Sequence, residues 1–221
     1  MDFDLAHTDR LLTTTRAVRK RLDLTRPVPR QLILDCVRIS TQGPAGGNHQ
    51  KWRWVIVDDP DKKEVIADAY RRTYAPYIEQ QQRAVERAGN QGEKNAIIDS
   101  SMHLADVLQD VPVLAIPSAL GSPDDAGSLG GAAQGWWGSV IPSIWSYCLA
   151  ARSRGLGTAW TTLHLGDVAA VAEALGIPAT VTQLACVPSA FHSGDVFRTA
   201  TRIPALLVSY WNSWKNSDIS S

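Results

Sequence analysis

The sequence contains little of what several large classes of protein require. Lysine plus arginine and aspartate plus glutamate each number 22, so the 221-residue chain has no net charge. A protein that binds nucleic acids or membrane surfaces in general usually has a basic excess. No apolar run approaches the roughly 20 residues of a transmembrane helix. We therefore expect neither a nucleic-acid partner nor a membrane partner.

Cysteine is scarce, with three residues and no CxxC pair. Cys36, Cys148 and Cys186 are far apart and lie in apolar stretches, where cysteine usually acts as a small buried hydrophobic residue. The start, Met1-Asp2-Phe3-Asp4, lacks the basic beginning and the apolar centre of a signal peptide. The sequence thus predicts free thiols, no disulfide and a cytoplasmic protein.

The common motifs of catalysis and nucleotide binding are also missing. No GxGxxG follows a predicted strand, because Gly155-x-Gly157 precedes one, and GxxxxGK[ST], HExxH and GxSxG do not occur. The five histidines are scattered along the chain, so we predict no metal site. Nothing resembles an amino-acid nucleophile beside its base. If the protein is an enzyme, a bound cofactor carries the chemistry.

Hydrophobic periodicity predicts a mixture of helices and strands in one domain spanning residues 1–221. Asp61 and Asp167 are the predicted caps of two of the helices. A polar excursion at about 70–101 and a long loop at about 118–135 would shape a pocket. The other predicted helices lie at 8–22, around 32–37 and at 136–153, and the predicted strands at 52–57, 111–117, 158–163 and 183–188.

Two segments predict contact with another subunit. The helix at 136–153 is apolar on two stripes, one containing Trp137 and Trp145 and the next containing Trp136, so both of its sides should be buried. Near the C-terminus, Trp211 and Trp214 need a surface to pack against. We expect the second side of the helix and this arm to contact a partner.

The most informative stretch is the loop Gly46-Gly47-Asn48-His49-Gln50-Lys51, which leads directly into the strand at 52–57. Glycine lets the main chain approach a flat ligand closely. Asn48 and Gln50 can each donate and accept hydrogen bonds, as recognition of the edge of a heterocycle requires. The strand would hold this loop against the core.

A basic run contains Arg16, Arg19, Lys20 and Arg21, four cations within six residues. One interpretation is a solvated helix end, where cations favour the C-terminal dipole. The other is a phosphate site, because a guanidinium binds two phosphate oxygens at once. Arg198 and Arg202 could complete such a site from the far end of the chain.

Four segments, in order, resemble the FMN-dependent nitroreductase family. They are the basic run within 15–23, the Gly-x-Asn-x-Gln loop and strand at 46–57, the segment Gly155-Leu156-Gly157-Thr158-Ala159-Trp160, and the Trp-Asn-x-Trp ending at 211–214. Each motif alone is weak or moderate. Together they span nearly the whole chain.

The resemblance implies an α+β, nitroreductase-like three-layer fold with a central, mostly antiparallel sheet flanked by helices. It implies an intertwined homodimer with tightly but non-covalently bound FMN at the subunit interface. Arg16 and Lys20 match residues that hold the FMN phosphate and the pyrimidine side, with Arg19 a rival for the second role. The other matched cofactor-binding positions are Ala17, Val18, Pro44, Ala45, Gly46, Asn48, Gln50, Thr161, Thr162, Leu163 and Arg202.

Within that set, the positions from Pro44 to Gly46 match the loop that packs on the flavin of the other subunit, and Thr162 and Leu163 match main chain facing flavin N5. Three departures stand out. A common serine is replaced by Ala17 or Val18, depending on the register, Lys51 replaces a proline, and Ala200 stands where some members have lysine.

The implied function is transfer of electrons from NADH or NADPH, by a ping-pong mechanism through FMN, to a nitroaromatic, a quinone or a similar electron-poor small molecule. Relatives of this fold also carry out dehalogenation and oxidative ring formation. A flavin-binding or sensing module without turnover is the alternative from another class. A small DNA-binding regulator is disfavoured by the balanced charge.

Overall fold

The computed structural model describes residues 3–88, 92–125, 127 and 131–216. The chain divides into two compact units. The larger comprises residues 15–195, and the smaller comprises residues 3–14 together with 196–216.

The helices are α1 (Leu5–Thr14), α2 (Arg30–Ser40), α3 (Pro60–Ala88), α4 (Gly92–Val107), α5 (Ala132–Ser153) and α6 (Val168–Leu175). The strands are β1 (Trp52–Val57), β2 (Val113–Leu120), β3 (Leu156–Thr158), β4 (Val181–Gln183) and β5 (Val187–Phe191). Short 3-10 turns occur at Gly46–Asn48, Leu108–Asp110, Leu163–Asp167 and Ala205–Leu207.

The five strands of the larger unit form one sheet in the order β1-β2-β5-β3, and β4 also pairs with β2. Every pair of strands is antiparallel, with Trp54 opposite Pro117 and Gly157 opposite Ala190. Single parallel bridges join Ala17 to Thr158 and Gly121 to Val181. The predicted α+β fold with a mostly antiparallel central sheet is therefore confirmed.

The main core lies where α2 and α5 pack against this sheet. One face of α5 is buried through Trp136, Val140, Ile144 and Tyr147. A neighbouring stripe of α5 leaves Trp137, Ile141 and Trp145 exposed by 39%, 43% and 42%. The helix therefore has one side in the core and a second apolar side that the described residues of this chain do not cover.

Local signals placed several elements correctly. The predicted strand at 52–57 is β1, and the helix predicted around 32–37 is α2. Asp167 caps α6 by accepting a hydrogen bond from the Ala170 amide, and Gly176 ends that helix with a left-handed φ of 65°. All three cysteines are free and buried.

Three boundaries differ from the prediction. Asp59, not Asp61, lies before α3 and accepts from the Lys62 amide, because the helix already begins at Pro60. The strand predicted at 158–163 is β3, which ends at Thr158. The strand predicted at 183–188 is two strands, because β4 pairs with one part of β2 and β5 with another.

The helix predicted over 8–22 is wrong beyond Thr14. Residues 15–23 instead run along the sheet. The Val18 amide donates to the Thr158 carbonyl at 2.8 Å, and the Asp23 amide donates to Phe191 at 2.7 Å. Main-chain pairing with the sheet replaces the intrahelical bonds, so the basic run is not a helix end.

In the smaller unit, α1 is accompanied by the C-terminal segment. Trp211 and Trp214 expose 56% and 79% of their surface, and the Trp214 ring stands 4.8 Å from that of Tyr210. The described helices include none with both the length and the apolarity needed to cross a bilayer.

Candidate functional site

The loop before β1 is fixed to the start of α5 by one serine. The Gly46 amide donates to Ser139 Oγ at 2.9 Å, and Trp52 Nε1 donates to the Ser139 carbonyl at 2.7 Å. Both ends of the loop are therefore hydrogen-bonded to the same turn of α5. This contact confirms the expectation that the loop is held against the core.

The main chain of this loop is unusual at two residues that are not glycine. Asn48 and Gln50 have φ values of 54° and 49°, in the left-handed region that side chains other than Gly, Asn and Asp seldom adopt. Gln50 Nε2 donates to Asn48 Oδ1 at 3.1 Å. Strained residues that the surrounding contacts hold in place are typical of ligand sites.

The basic run lies at the opposite edge of the sheet. Its Val18 packs so closely on β3 that a Cβ built on Gly157 would stand 2.9 Å from Val18 Cβ. Arg16 and Ala17 are exposed, and the Lys20 ammonium forms an ion pair with Asp99 on α4. The run is thus anchored through its main chain and Val18, with Arg16 and Lys20 exposed and Arg19 and Arg21 half-buried.

Arg19 connects the basic run to the segment after β3. Burial raises the pKa of the Tyr70 hydroxyl, while a hydrogen bond with Thr161 and the charge of Arg19 lower it. Thr161 is itself paired through its main chain with Cys186. The structure therefore brings the basic run, α3 and Thr161 into one neighbourhood.

Two amides open the 3-10 turn that follows. Within the residues described, the N–H groups of Thr162 and Leu163 have no main-chain acceptor, as expected at the start of a helical turn. The same turn docks on α3, where Arg72 forms an ion pair with Asp167. These donors are therefore held in place by the contact of the turn with α3, and no main-chain group of the described residues accepts from them.

The predicted site residues fall into separate groups within one chain. The loop at 44–50 precedes β1 at one edge of the sheet, whereas Ala17 pairs with β3 at the other edge. Four strand spacings separate them, about 19 Å across the sheet. Arg202 belongs to the smaller unit, so its assignment stays a prediction.

Two of the cavities bordered by described residues lie in the larger unit. One of about 800 Å³ is lined by Arg30, Asp58 and Lys63 among others. Its charges compensate one another, since Arg30 makes two hydrogen bonds to Asp58. The other, of about 260 Å³, lies between the 45–51 loop and the start of α5. Only the second touches predicted site residues.

Sequence reasoning missed the partners of these residues. Ser139, Asp99 and Tyr70 belong to none of the motifs that the sequence offered. Each lies more than 50 residues from the position it contacts, so only the fold reveals the contact. In the described part of the chain, no group of three or more His, Cys, Asp or Glu side chains could hold a metal ion.

The sheet, its flanking helices and the loop at its edge define a nitroreductase-like α+β fold. A family model described as the nitroreductase family matches residues 12–189, which is most of the chain. The protein belongs to the nitroreductase family. The resemblance drawn from the four motifs is confirmed.

A curated relative is the 5,6-dimethylbenzimidazole synthase of Rhodospirillum rubrum, 28% identical over 159 residues, covering 69% of this chain and 67% of that protein. Among solved structures, iodotyrosine deiodinase bound to FMN and 3-iodo-L-tyrosine has a TM-score of 0.68 at 18% identity, covering 93% and 99% of the two chains. A BluB-like flavoprotein from Clostridium difficile has a TM-score of 0.66 at 16% identity, covering 96% and 100%. At these identities the structures support the fold alone.

Proposed function

We propose that the protein is an FMN-dependent oxidoreductase that takes electrons from NADH or NADPH. It passes them to a nitroaromatic, a quinone or a similar electron-poor small molecule. The observation that carries the proposal is the neighbourhood of the basic run, Tyr70 and the two amides after Thr161 that have no main-chain acceptor among the described residues. Cations suited to a phosphate and donors suited to a ring edge in one neighbourhood support a single flavin site. The protein is proposed to act as a single domain in the cytoplasm.

FMN, when bound, would supply hydride and electron transfer that no side chain of this protein can provide. Arg16 would hold the phosphate, with Ala17 and Val18 giving the main chain beside it. Lys20, or Arg19 in the other register, would place positive charge at the pyrimidine side and favour a reduced, anionic ring. The amides of Thr162 and Leu163 would orient the ring by hydrogen bonding.

The active form is proposed to be a homodimer in which each flavin contacts both chains. The separation of about 19 Å between the loop and the basic run supports this arrangement, because two chains can bring the two edges together. The exposed stripe of Trp137, Ile141 and Trp145 is an apolar face suited to a subunit contact. Pro44, Ala45 and Gly46 would then serve the flavin held mainly by the partner.

A second candidate is another flavin chemistry of the same fold. The 28% identity to a 5,6-dimethylbenzimidazole synthase favours it, because that relative is named for the synthesis of a ring compound. A flavin-binding module without turnover is the remaining alternative. All three need the same cofactor site, so turnover with a nicotinamide and an acceptor separates the first candidate from the other two.

The oxidoreductase proposal predicts that NADH or NADPH will bleach the yellow protein under anaerobic conditions. Adding nitrofurazone or menadione should then restore the colour, because the acceptor reoxidises the cofactor. Absorbance at the flavin band, followed by stopped flow with each nicotinamide in turn, measures both half-reactions. A yellow protein that neither nicotinamide bleaches would exclude this function and leave the other two candidates.

Replacing Arg16 with alanine should raise the Kd for FMN about 10- to 100-fold, since one charge-assisted hydrogen bond contributes roughly 1.5–3 kcal/mol. Arg202→Ala should act in the same direction. Arg38→Ala on α2 is the matched control, because its exposed guanidinium pairs only loosely with Asp35 at 3.7 Å. Flavin content and mass are measured together by gel filtration with light scattering. Full FMN retention in both variants, or a monomer that holds FMN, would contradict the assigned site.

A further inference from the structure

The cavity of about 260 Å³ combines features that indicate the charge of its ligand. Its lining contains Lys51, His49 and Trp136 but no aspartate or glutamate. Lys51 is half-buried, and its ammonium makes no ion pair or hydrogen bond with any part of the chain that the structure describes. A half-buried lysine without a counter-ion among the described residues favours a negatively charged ligand.

Trp136 adds a second, independent observation. Its side chain is only 5% exposed, and the indole N–H is buried without an acceptor among the described residues. Buried polar groups are almost always hydrogen-bonded, and the indole group can only donate. Because Trp136 lines the cavity, we infer that this unsatisfied N–H is the group that an oxygen atom of a ligand would pair with.

The other lining residues determine the size and shape of the cavity. Ala45, Gly46, Ala132 and Gly135 have small or no side chains and leave room beside the Trp136 ring. A volume of about 260 Å³ lies just below the roughly 300–1,000 Å³ of pockets for drug-sized molecules. A compound with one aromatic ring and one acidic group fits this space.

Several polar atoms beside the loop already make hydrogen bonds within the chain, which limits the groups that can bind a ligand. Ser139 Oγ accepts from the Gly46 amide and donates to the Gly135 carbonyl at 2.7 Å. Gln50 Nε2 donates to Asn48. Lys51 is the one lysine or arginine in the lining, and the donors left for a ligand are its ammonium, the Trp136 N–H, the His49 ring and the second hydrogen of Gln50 Nε2.

We propose that this cavity selects electron acceptors that are aromatic anions, such as arenecarboxylates carrying a nitro group, with Lys51 pairing with the acid and the Trp136 N–H donating to an oxygen. The inference rests on the proposed function, because the Ala45–Gly46 wall is where the flavin of the other subunit is expected. Lys51 is a specificity-determining residue in this arrangement. The position is one where the resemblance leads us to expect proline.

The test compares 4-nitrobenzoate with the neutral 4-nitrobenzamide on the flavin-loaded protein. Wild type should prefer the carboxylate in kcat/KM, and Lys51→Met should lower that preference about tenfold, the equivalent of one charge-assisted hydrogen bond. Lys62→Met is the matched control, since it removes the same charge beside the other cavity. Trp136→Phe keeps a ring but removes the N–H, and should weaken binding of both compounds several-fold.

Calorimetric titration with benzoate gives a measurement that needs no turnover. Its Kd should rise in Lys51→Met and stay unchanged in Lys62→Met. Reduction of both nitro compounds with the same preference in wild type and Lys51→Met would overturn the cavity proposal and leave the oxidoreductase function intact. Failure to reduce either compound, with benzoate binding still dependent on Lys51, would instead remove the proposed function and keep the anion site.

Discussion

Lowering the pH from 6.5 towards 4 should cost the folded protein about 3 kcal/mol of its free energy of unfolding through His164 alone. The imidazole is fully buried in the turn that docks on α3, and burial lowers its pKa from 6.5 to about 4. Between these values the unfolded chain binds a proton that the folded protein excludes, so stability rises with pH. Each pH unit between the unfolded and the folded pKa contributes about 1.4 kcal/mol, which gives the loss of about 3 kcal/mol in the free energy of unfolding.

The structural reason is that both ring nitrogens of His164 are buried without a hydrogen-bond partner among the described residues. His164→Phe keeps a planar ring and His164→Gln keeps polarity, but neither can take up a proton. Urea unfolding at several pH values should show a flatter profile for both variants between pH 6.5 and 4. An unchanged slope in both would contradict the prediction.

Three other groups with shifted pKa values bear on this pH range. Hydrogen bonds from Arg30 and Arg72 hold the pKa values of Asp58 and Asp167 below 3.8, so the stability they add is present above 3.8 and is lost only at lower pH. Burial also lowers the pKa of His192, which contributes in the same direction as His164. Its share remains in the variants, so the flattening will be partial.

Gly166→Ala should destabilise the protein by about 3 kcal/mol, at the upper end of overpacking effects. A Cβ at this position would stand 1.9 Å from Thr73 Oγ1, 2.8 Å from Cγ2 and 2.9 Å from Cβ. Rotating the Thr73 side chain cannot relieve a clash that includes its Cβ. The turn would have to leave α3 and carry Thr162 and Leu163 with it, so FMN affinity should fall as well. Thermal unfolding and FMN titration measure the two effects.

A matched glycine and a compensating change make this prediction specific. Among the described residues, Gly138→Ala on α5 meets no atom within 4 Å beyond the backbone of its own helix, and it should be neutral or slightly stabilising, as alanine favours a helix. Thr73→Ala combined with Gly166→Ala removes Oγ1 and Cγ2 and should restore part of the loss. If Gly166→Ala unfolds like wild type, the close contact between the turn and α3 is wrong.

The elements that the sequence placed correctly have local causes. Trp52, Trp54 and Ile56 all face the core because the side chains of a strand alternate between its two faces. Asp167 and Gly176 cap the two ends of α6. Such signals act within a few residues and need no knowledge of the rest of the chain.

The incorrect predictions have non-local causes. Residues 15–22 have a helical pattern, but pairing of Val18 with Thr158, 140 positions away, determines their conformation. The single strand predicted at 183–188 is divided because the long β2 has two partners. Tertiary contacts override local preference in both cases.

In the candidate site, too, local features could be predicted from the sequence and long-range contacts could not. Its glycine-rich loop and basic run could be recognised from the amino-acid sequence alone. The order of strands that sets them at opposite edges of the sheet, and the contacts of Gly46 with Ser139 and of Lys20 with Asp99, could not. The chemical groups of the candidate site belong to short segments of the sequence, whereas the distances between these segments depend on the whole fold.

The main-chain pairing of residues 17–23 also has a consequence for assembly. An unpaired sheet edge is a template on which another chain can add, and proteins avoid aggregation by covering it. Here Ala17 and Val18 cover the free side of β3, and Leu22 and Asp23 continue along β5 at Phe191 and His192. Because this cover uses amides and carbonyls, the exposed side chains of the run can change in evolution without opening the sheet to misassembly.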